Sequence, residues 1–277
     1  MKKLDDTPPT GSCELRSQYW LTHFRENLAR TPKINWNRES KLDLQEDARL
    51  IRSIQAWQLG ETSDGAHLRQ ATRGFLDQCP HEDAERKTYI EAVKLFIEEE
   101  QKHGENLGRY LDKVGAERIK FDLGDTGFRL VRSLFSNMEI WSASVLMVET
   151  MAQIYYKALR DSERCELLGE ICADILADEA HHLRFQIERV RTYYAGRSMI
   201  GRAATRLVYK SIYTVIVSAV WFAHRHALRQ GELTLFKFWS ASWRKFLGHW
   251  RQIEKWQSAS GEPPREMATN EPTPTSP

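Results

Sequence analysis

The sequence has few cysteines, and none of them are paired at a metal-binding spacing. Its four cysteines, Cys13, Cys79, Cys165 and Cys172, are scattered along the chain and form no C-x-x-C motif. Neither a disulfide framework nor a zinc knuckle is indicated. This usage is typical of a reducing compartment, and we expect a cytoplasmic protein.

Excess charge of one sign and long apolar runs are also missing. The chain carries 40 basic and 38 acidic residues, so its global charge points to no partner and we expect no nucleic acid to bind. The N-terminal residues lack the apolar stretch of a secretory signal. The longest apolar run, Ile212 to Ala223, is too short to cross a bilayer unaided, so we predict no transmembrane segment.

Strand signals are weak as well, because apolar residues recur three and four positions apart rather than two. The pattern predicts an all-α protein. An N-terminal extension over 1–40 has a helix around 17–28, and a basic, aromatic-rich helical extension over 197–257 precedes a disordered tail over 258–277. The main region, 41–196, is predicted to hold four long helices at 41–78, 83–114, 125–160 and 162–195, the last capped by Asp161 and Ser162.

Two of the predicted helices carry an E-x-x-H motif. Glu100 precedes His103 by three residues, and Glu179 precedes His182 by three. Side chains at this spacing share one helix face and can reach a single metal ion. Taken singly, each pair is typical of an exposed helix surface.

The positions of these pairs favour a buried site instead. Each of the four helices has an apolar stripe interrupted by an acid or an acid–histidine pair. Glu61 interrupts the first stripe and Glu149 the third, while the two E-x-x-H pairs interrupt the second and fourth. Ionised groups left unpaired in an apolar interior cost several kcal/mol each or more, whereas two divalent cations neutralise four carboxylates. Oxygen and imidazole ligands together suit iron or manganese.

The order Glu, E-x-x-H, Glu, E-x-x-H resembles the ferritin-like diiron carboxylate superfamily. Gly60-Glu61 is similar to the Gly-Glu of rubrerythrin-like proteins. The segments Glu99-Glu100-Gln-Lys-His103-Gly104 and Asp178-Glu179-Ala-His181-His182 resemble motifs of soluble acyl-carrier-protein desaturases. The resemblance implies a four-helix bundle with extra terminal helices. It also implies two iron ions, or an iron–manganese pair, held by Glu61, Glu100, His103, Glu149, Glu179 and His182, with Glu100 and Glu179 as bridging ligands.

The resemblance also assigns roles around the ligands. Glu99 is expected to orient His182, and Asp178 to orient His103. The threonine that several oxygenases place one turn after the third-helix glutamate is not matched, since Ala152 and Gln153 stand there. The alternative pair of Asp178 with His181 is rejected because His181 points away from the apolar stripe. Trp57, Tyr156 and Cys172 are interpreted as core packing.

The C-terminal extension over 199–256 interleaves Arg and Lys with aromatic residues. Such helices lie on an anionic membrane surface or pack back onto their own domain as a lid or a dimer face, and the sequence leaves both open. A homodimer and a peripheral membrane location therefore remain alternatives to a free cytoplasmic monomer.

We expect a non-haem diiron oxidoreductase that activates dioxygen or peroxide and oxidises a small organic or acyl, apolar substrate, with electrons from a ferredoxin or reductase. The rival prediction is an iron-handling protein, either a ferroxidase or a peroxide scavenger. A helical interaction module without metal is the third.

Overall fold

A computed structural model describes residues 15–78, 81–122, 124, 126 and 138–255. Over these residues the protein is all-helical and has no strand. The helices are α1 (Ser17–Ala29), α2 (Ala48–Glu61), α3 (Ala66–Asp77), α4 (Asp83–Lys113), α5 (Met138–Asp161), α6 (Glu166–Ala195), α7 (Met199–Gln230) and α8 (Leu235–Lys255). Some expectations concern residues outside the described ranges. They are those for the tail over 258–277, for Cys13 and Cys79, and for 127–137 of the predicted third helix.

The prediction of a single helix over 41–78 is wrong. The structure begins it at Ala48 and divides it into α2 and α3. Gly65, the N-cap of α3, adopts a left-handed conformation with φ +68°, which a continuous helix through this position cannot contain. The Asp64 side chain accepts a hydrogen bond from the Ala66 backbone N–H at 2.9 Å and helps to begin α3. The apolar residues on both sides of this turn keep a helical period, so the sequence pattern did not indicate the turn.

The predicted cap of the fourth helix is also wrong. Helix α6 begins at Glu166, with Cys165 at its N-cap and no side-chain cap hydrogen bond. Ser162 instead donates to the Leu159 carbonyl at the end of α5.

Two apolar clusters form the core, and a polar layer separates them. One cluster contains Trp57, Leu107, Ala152 and Ile175. The other contains Leu68, Phe96, Val145 and Phe185. On α2–α3 and on α4 the acid or acid–histidine pair lies between residues of one cluster and residues of the other, whereas members of both clusters alternate along α5 and α6. The fold therefore gathers the interrupting residues of all these helices into one layer.

The remaining helices cover this core. Helix α1 packs against α4, α7 packs against α5 and α2, and α8 packs against α6 and α5. From the C-terminal pair, Tyr213, Trp221, Phe238, Phe246 and Trp250 are buried in the first cluster. The inner aromatic residues of the C-terminal extension therefore pack back onto the core.

Candidate metal centre

The polar layer brings the E-x-x-H pairs of α4 and α6 together. One possible ligand atom from each of Glu100, His103, Glu179 and His182 lies within 4.8 Å of the others. Both imidazoles are fully buried, and Glu179 is 1% exposed. Glu100 is the outermost of the four, with 20% of its side chain exposed. This cluster could hold a metal ion and meets solvent on the Glu100 side.

The lone glutamates lie beside this cluster. Glu61, at the end of α2, and Glu149, in α5, are 7% and 5% exposed. The charge of Glu100 acts on both carboxyls. Glu61 also accepts a 2.7 Å hydrogen bond from the Tyr156 hydroxyl. The structure thus gathers all the acids and histidines that interrupt the four predicted stripes.

Each imidazole is held by an acid from the opposite helix. His103 Nε2 donates to Asp178 Oδ2 at 3.0 Å, and His182 Nε2 donates to Glu99 Oε2 at 2.8 Å. Both acids are buried. These contacts fix the orientation and tautomer of each ring, so that in both histidines Nδ1 is the nitrogen left to act as a ligand.

The atoms facing the centre have no hydrogen-bond partners among the described residues. They are His103 Nδ1, His182 Nδ1, Glu100 Oε1, Glu179 Oε2 and both carboxylate oxygens of Glu149. His182 Nδ1 and Glu100 Oε1 lie 2.7 Å apart and form an ion pair when the imidazole is protonated, although the contact is not aligned as a hydrogen bond. Buried polar atoms are nearly always paired in native proteins, and each exception requires an explanation. A cation could satisfy the unpartnered atoms of Glu100, His103, Glu179 and His182, which lie together.

The pKa values of the carboxyls reflect crowded negative charge. Burial, and then Glu100 and Glu179, raise the pKa of Glu61 well above its ordinary value. Burial and neighbouring carboxylates likewise raise the pKa of Glu149 and of Glu179. Burial also opposes ionisation of Glu100, but close contact with His182 outweighs it and lowers the pKa to about 2. Burial and crowding therefore favour the protonated forms of Glu61, Glu149 and Glu179, and His182 favours the ionised form of Glu100.

Helix α1 and the residue directly after it contribute two contacts that sequence reasoning missed. Asn27 Nδ2 donates to Glu99 Oε1 at 2.6 Å and to Asp178 Oδ1 at 2.9 Å. Arg30 Nη2 lies 2.8 Å from Asp178 Oδ1. Asn27 thus ties together the two acids that hold the imidazoles. Its spacing from the buried Trp20 and Phe24 was the available signal, because these three positions share one helix face.

The structure also gives the positions of the residues that the sequence analysis excluded as ligands or interpreted as core packing. The side chain of His181 lies away from the centre and stacks on His23 of α1, with ring centroids 4.0 Å apart. Cys172 is fully buried in the core. Trp57 stacks on Tyr155 with ring centroids 4.8 Å apart. Tyr156 is buried too, but its hydrogen bond to Glu61 gives it a contact with the centre that a packing role does not require.

Comparison with known proteins gives no relative for this chain. No protein-family model matches it, and neither a curated protein nor a solved structure does so.

Proposed function

We propose that the protein is a ferritin-like, non-haem diiron oxidoreductase that activates dioxygen or peroxide and oxidises an apolar organic substrate. One observation carries the proposal. Buried carboxylate oxygens and the Nδ1 atoms of His103 and His182 converge without hydrogen-bond partners. The other nitrogen of each ring is already held by an acid.

The residues present fit two divalent cations. Glu61, Glu100, Glu149 and Glu179 supply four negative charges when ionised, which two divalent ions neutralise. The raised pKa values of Glu61, Glu149 and Glu179 mean that their ionised forms are disfavoured, and nearby positive charge would stabilise those forms. If two ions bind, Glu61, Glu100 and His103 would hold one and Glu149, Glu179 and His182 the other, with Glu100 and Glu179 contributing to both.

The choice of iron rests on ligand chemistry. Structural zinc sites favour cysteine and a closed set of four ligands, whereas oxygen-rich sets with two imidazoles suit iron or manganese. When bound, iron supplies the redox chemistry with oxygen, and a ferredoxin or reductase supplies the electrons. An iron–manganese pair fits the same donors.

Side chains around the centre hold its imidazole rings in place and exclude water from it. Glu99 and Asp178 hold the imidazole rings, and Asn27 links these two acids. Phe96 packs edge-on against His182, with ring centroids 4.8 Å apart. Apolar residues therefore border the centre on α4, which favours an apolar substrate over a charged one.

Helices α7 and α8 favour an enzyme over an iron store, because they add a large covering layer that metal binding itself does not require. A ferroxidase remains the rival, and it is distinguished by its substrate. A storage protein oxidises many Fe(II) ions per chain and accumulates mineral. The proposed enzyme consumes oxygen only with reductant and an organic substrate.

Metal analysis tests the centre first. Protein produced with iron and manganese should carry about two metal ions per chain. Glu179→Ala should remove most of this metal. Glu98→Ala is the matched control, because Glu98 lies on α4 beside the site residues but is exposed. Equal metal content in wild type and Glu179→Ala would refute the proposed centre.

Oxygen consumption then tests the reaction. The iron-loaded protein, supplied with reductant, is assayed against a panel of fatty acids and acyl thioesters. We expect oxygen consumption that depends on one substrate class and is absent from Glu179→Ala. Substrate-independent turnover of added Fe(II) with growth of a mineral core would identify the iron-handling function instead.

A further inference from the structure

Three arginines and one histidine lie together at the surface, where the start of α2 meets the end of α7. They are Arg49, Arg225, His226 and Arg229, and we call them the basic patch. Arg49 Nη1 lies 3.0 Å from His226 Nε2. Burial, and then the charges of the three arginines, lower the pKa of this imidazole. By length and composition alone α7 could cross a membrane, but its C-terminal end is basic and contacts α2.

Within the described ranges, no acid forms an ion pair with the arginines of the basic patch. Arg225 donates to a main-chain carbonyl of its own helix, and the guanidinium of Arg229 lies 5.7 Å from the centroid of a tryptophan ring. Arg49 lies in the first turn of α2, where the helix dipole disfavours a cation. Asp122 lies nearby but pairs with Arg52 at 3.3 Å. Gathering these charges costs free energy in the free protein, and an acidic partner would recover it.

A largely buried network extends from this end of α7 toward the candidate metal centre. His224 Nδ1 lies 2.8 Å from the Ser53 hydroxyl oxygen, which lies 2.9 Å from that of Tyr155. Trp57 stacks on Tyr155 with ring centroids 4.8 Å apart. The Trp57 ring is also 5.6 Å from the rings of His224 and Tyr156. We call these five residues the connecting network.

The connecting network joins the basic patch to the candidate metal centre. At its inner end, the Tyr156 hydroxyl donates to Glu61 at 2.7 Å. At its outer end, His224 is two residues before His226 of the patch. Ser53 and Glu61 are eight residues apart on α2, which places them about 12 Å apart along the helix axis. Electrons tunnel through closely packed side chains over distances of this kind. An electron that enters at the patch therefore has a short route to the centre.

Charge and position together select the partner. A negatively charged protein surface complements the basic patch and is steered to it. Nucleic acid is also negatively charged, but the faces that bind it carry basic residues along a stripe that follows the phosphates. The basic patch is instead one compact group. A connection to a buried site gives nucleic acid no advantage, whereas an electron donor requires one.

We propose that the basic patch is the docking surface for a small acidic iron–sulfur protein, which passes electrons along the connecting network to the metal centre. The inference rests on the proposed function, because that function needs a reductant. In each transfer the reduced iron–sulfur cluster of the donor loses one electron and is oxidised. A ferric ion of the proposed centre gains this electron and becomes ferrous. No covalent bond forms or breaks in this step.

Surface plasmon resonance with the full-length, metal-free protein tests the docking surface. The probe is an acidic plant-type ferredoxin with a two-iron cluster, and its binding to wild type should weaken as salt is added. Arg49→Glu/Arg229→Glu should associate about tenfold more slowly or worse, and with less dependence on salt. Arg25→Glu/Arg73→Glu is the matched control, because it makes the same change of charge at exposed arginines of α1 and α3. The control should associate nearly as fast as wild type.

Anaerobic stopped-flow measurements test the connecting network. Oxidised, iron-loaded protein is mixed with excess reduced ferredoxin, whose visible absorbance reports its own oxidation. Trp57→Leu should slow this oxidation severalfold and leave the dissociation constant for ferredoxin unchanged, while Trp57→Phe should keep most of the rate because it retains a ring. Trp141→Leu is the matched control, since Trp141 is a buried tryptophan of the other apolar cluster. The iron content of each variant is measured before mixing.

Melting temperatures and circular dichroism establish that each variant is folded, and Arg229→Gln alone tests the patch if the double variant is not. Equal association rates for the patch and control variants would overturn the docking surface. So would a single-stranded DNA oligonucleotide that binds the patch as tightly as ferredoxin at the same salt concentration. An unchanged electron-transfer rate in Trp57→Leu would overturn the route through the network. A protein that holds no iron but binds ferredoxin through the patch would refute the proposed function and leave the docking surface intact.

Discussion

Each imidazole at the centre has two nitrogens with different tasks. In His103 and His182, Nε2 is held by an acid and Nδ1 faces the unpartnered carboxylates. A ring without its acid could turn or take the other tautomer, and Nδ1 would then carry the proton. In the proposed centre the acids Glu99 and Asp178 are therefore positioning residues, whose effect would reach the metal through histidine.

Replacing the positioning acids should weaken metal binding without removing a ligand. We expect Glu99→Gln and Asp178→Asn each to raise the dissociation constant for Fe(II) by about 10- to 100-fold. Anaerobic titration measures it, and Glu98→Gln is the control on the same helix. An unchanged constant in both variants would show that the rings are held in place by packing alone.

The resemblance to diiron proteins implied these two acid–histidine pairs, because it gives a role to the acid directly before Glu100 and before Glu179, and the structure has the same pairs. The hydrogen bonds of Asn27 and Tyr156 could not be found in this way. Asn27 lies in a separate N-terminal helix, and no sequence spacing relates α1 to α4 and α6. Tyr156 shares an inward stripe with ordinary core residues, and only three-dimensional proximity to Glu61 distinguishes its hydroxyl.

Among the helices, the position of Glu61 at the centre depends on how closely α2 approaches α4. A Cβ at Gly104 would lie 2.6 Å from Thr62 Cγ2, 3.1 Å from the Thr62 nitrogen and 3.2 Å from the Glu61 carbonyl carbon. Two of these atoms are backbone, so the end of α2 would have to move. Gly104, the residue after His103, therefore sets the distance at which Glu61 meets the centre.

Gly104→Ala should separate α2 from α4. We expect the free energy of unfolding to fall by about 1–3 kcal/mol and metal occupancy to fall with it. Gly74→Ala is the matched control, because a Cβ there meets nothing within 4 Å and alanine should stabilise α3 by about 0.5–1 kcal/mol. Denaturant unfolding measures both. Equal effects at the two positions would contradict the proposed role of Gly104.

Helical periodicity predicted α4 and α6 well, because both are long and their inward positions keep one helical period from end to end. It failed between 41 and 78, where Ile54, Trp57, Leu68 and Phe75 suggested one face although Asp64 and Gly65 form a turn. The four letters Thr-Ser-Asp-Gly at 62–65 were the missed signal, since they are all residues that favour turns or caps.

Across the whole molecule, the polar layer opposes folding unless its charge is neutralised. In the metal-free protein, the raised pKa values of Glu61, Glu149 and Glu179 mean that the folded state retains protons which the unfolded state releases. The stability that these acids contribute is present below the unfolded carboxyl pKa of about 4.3. It is lost as the pH rises through their folded pKa values.

In the proposed centre metal ions would replace those protons, so their stabilising effect should grow with pH. We expect the increase in melting temperature caused by Fe(II), measured anaerobically, to be larger at pH 8 than at pH 5.5. Other ionisable groups act on both forms at each pH and largely cancel in this difference. An increase that is equal at both pH values, or larger in acid, would contradict the assignment of these acids as ligands.

The central claim is that these acids and histidines hold two metal ions, and anomalous X-ray scattering tests it most directly. Crystals of iron-loaded protein, measured on both sides of the iron absorption edge, should show two peaks about 3.5–4 Å apart. One peak should lie against His103 Nδ1 and the other against His182 Nδ1, with Glu100 and Glu179 between them. The absence of any peak in the polar layer, or peaks bound through the Nε2 atoms, would contradict the account.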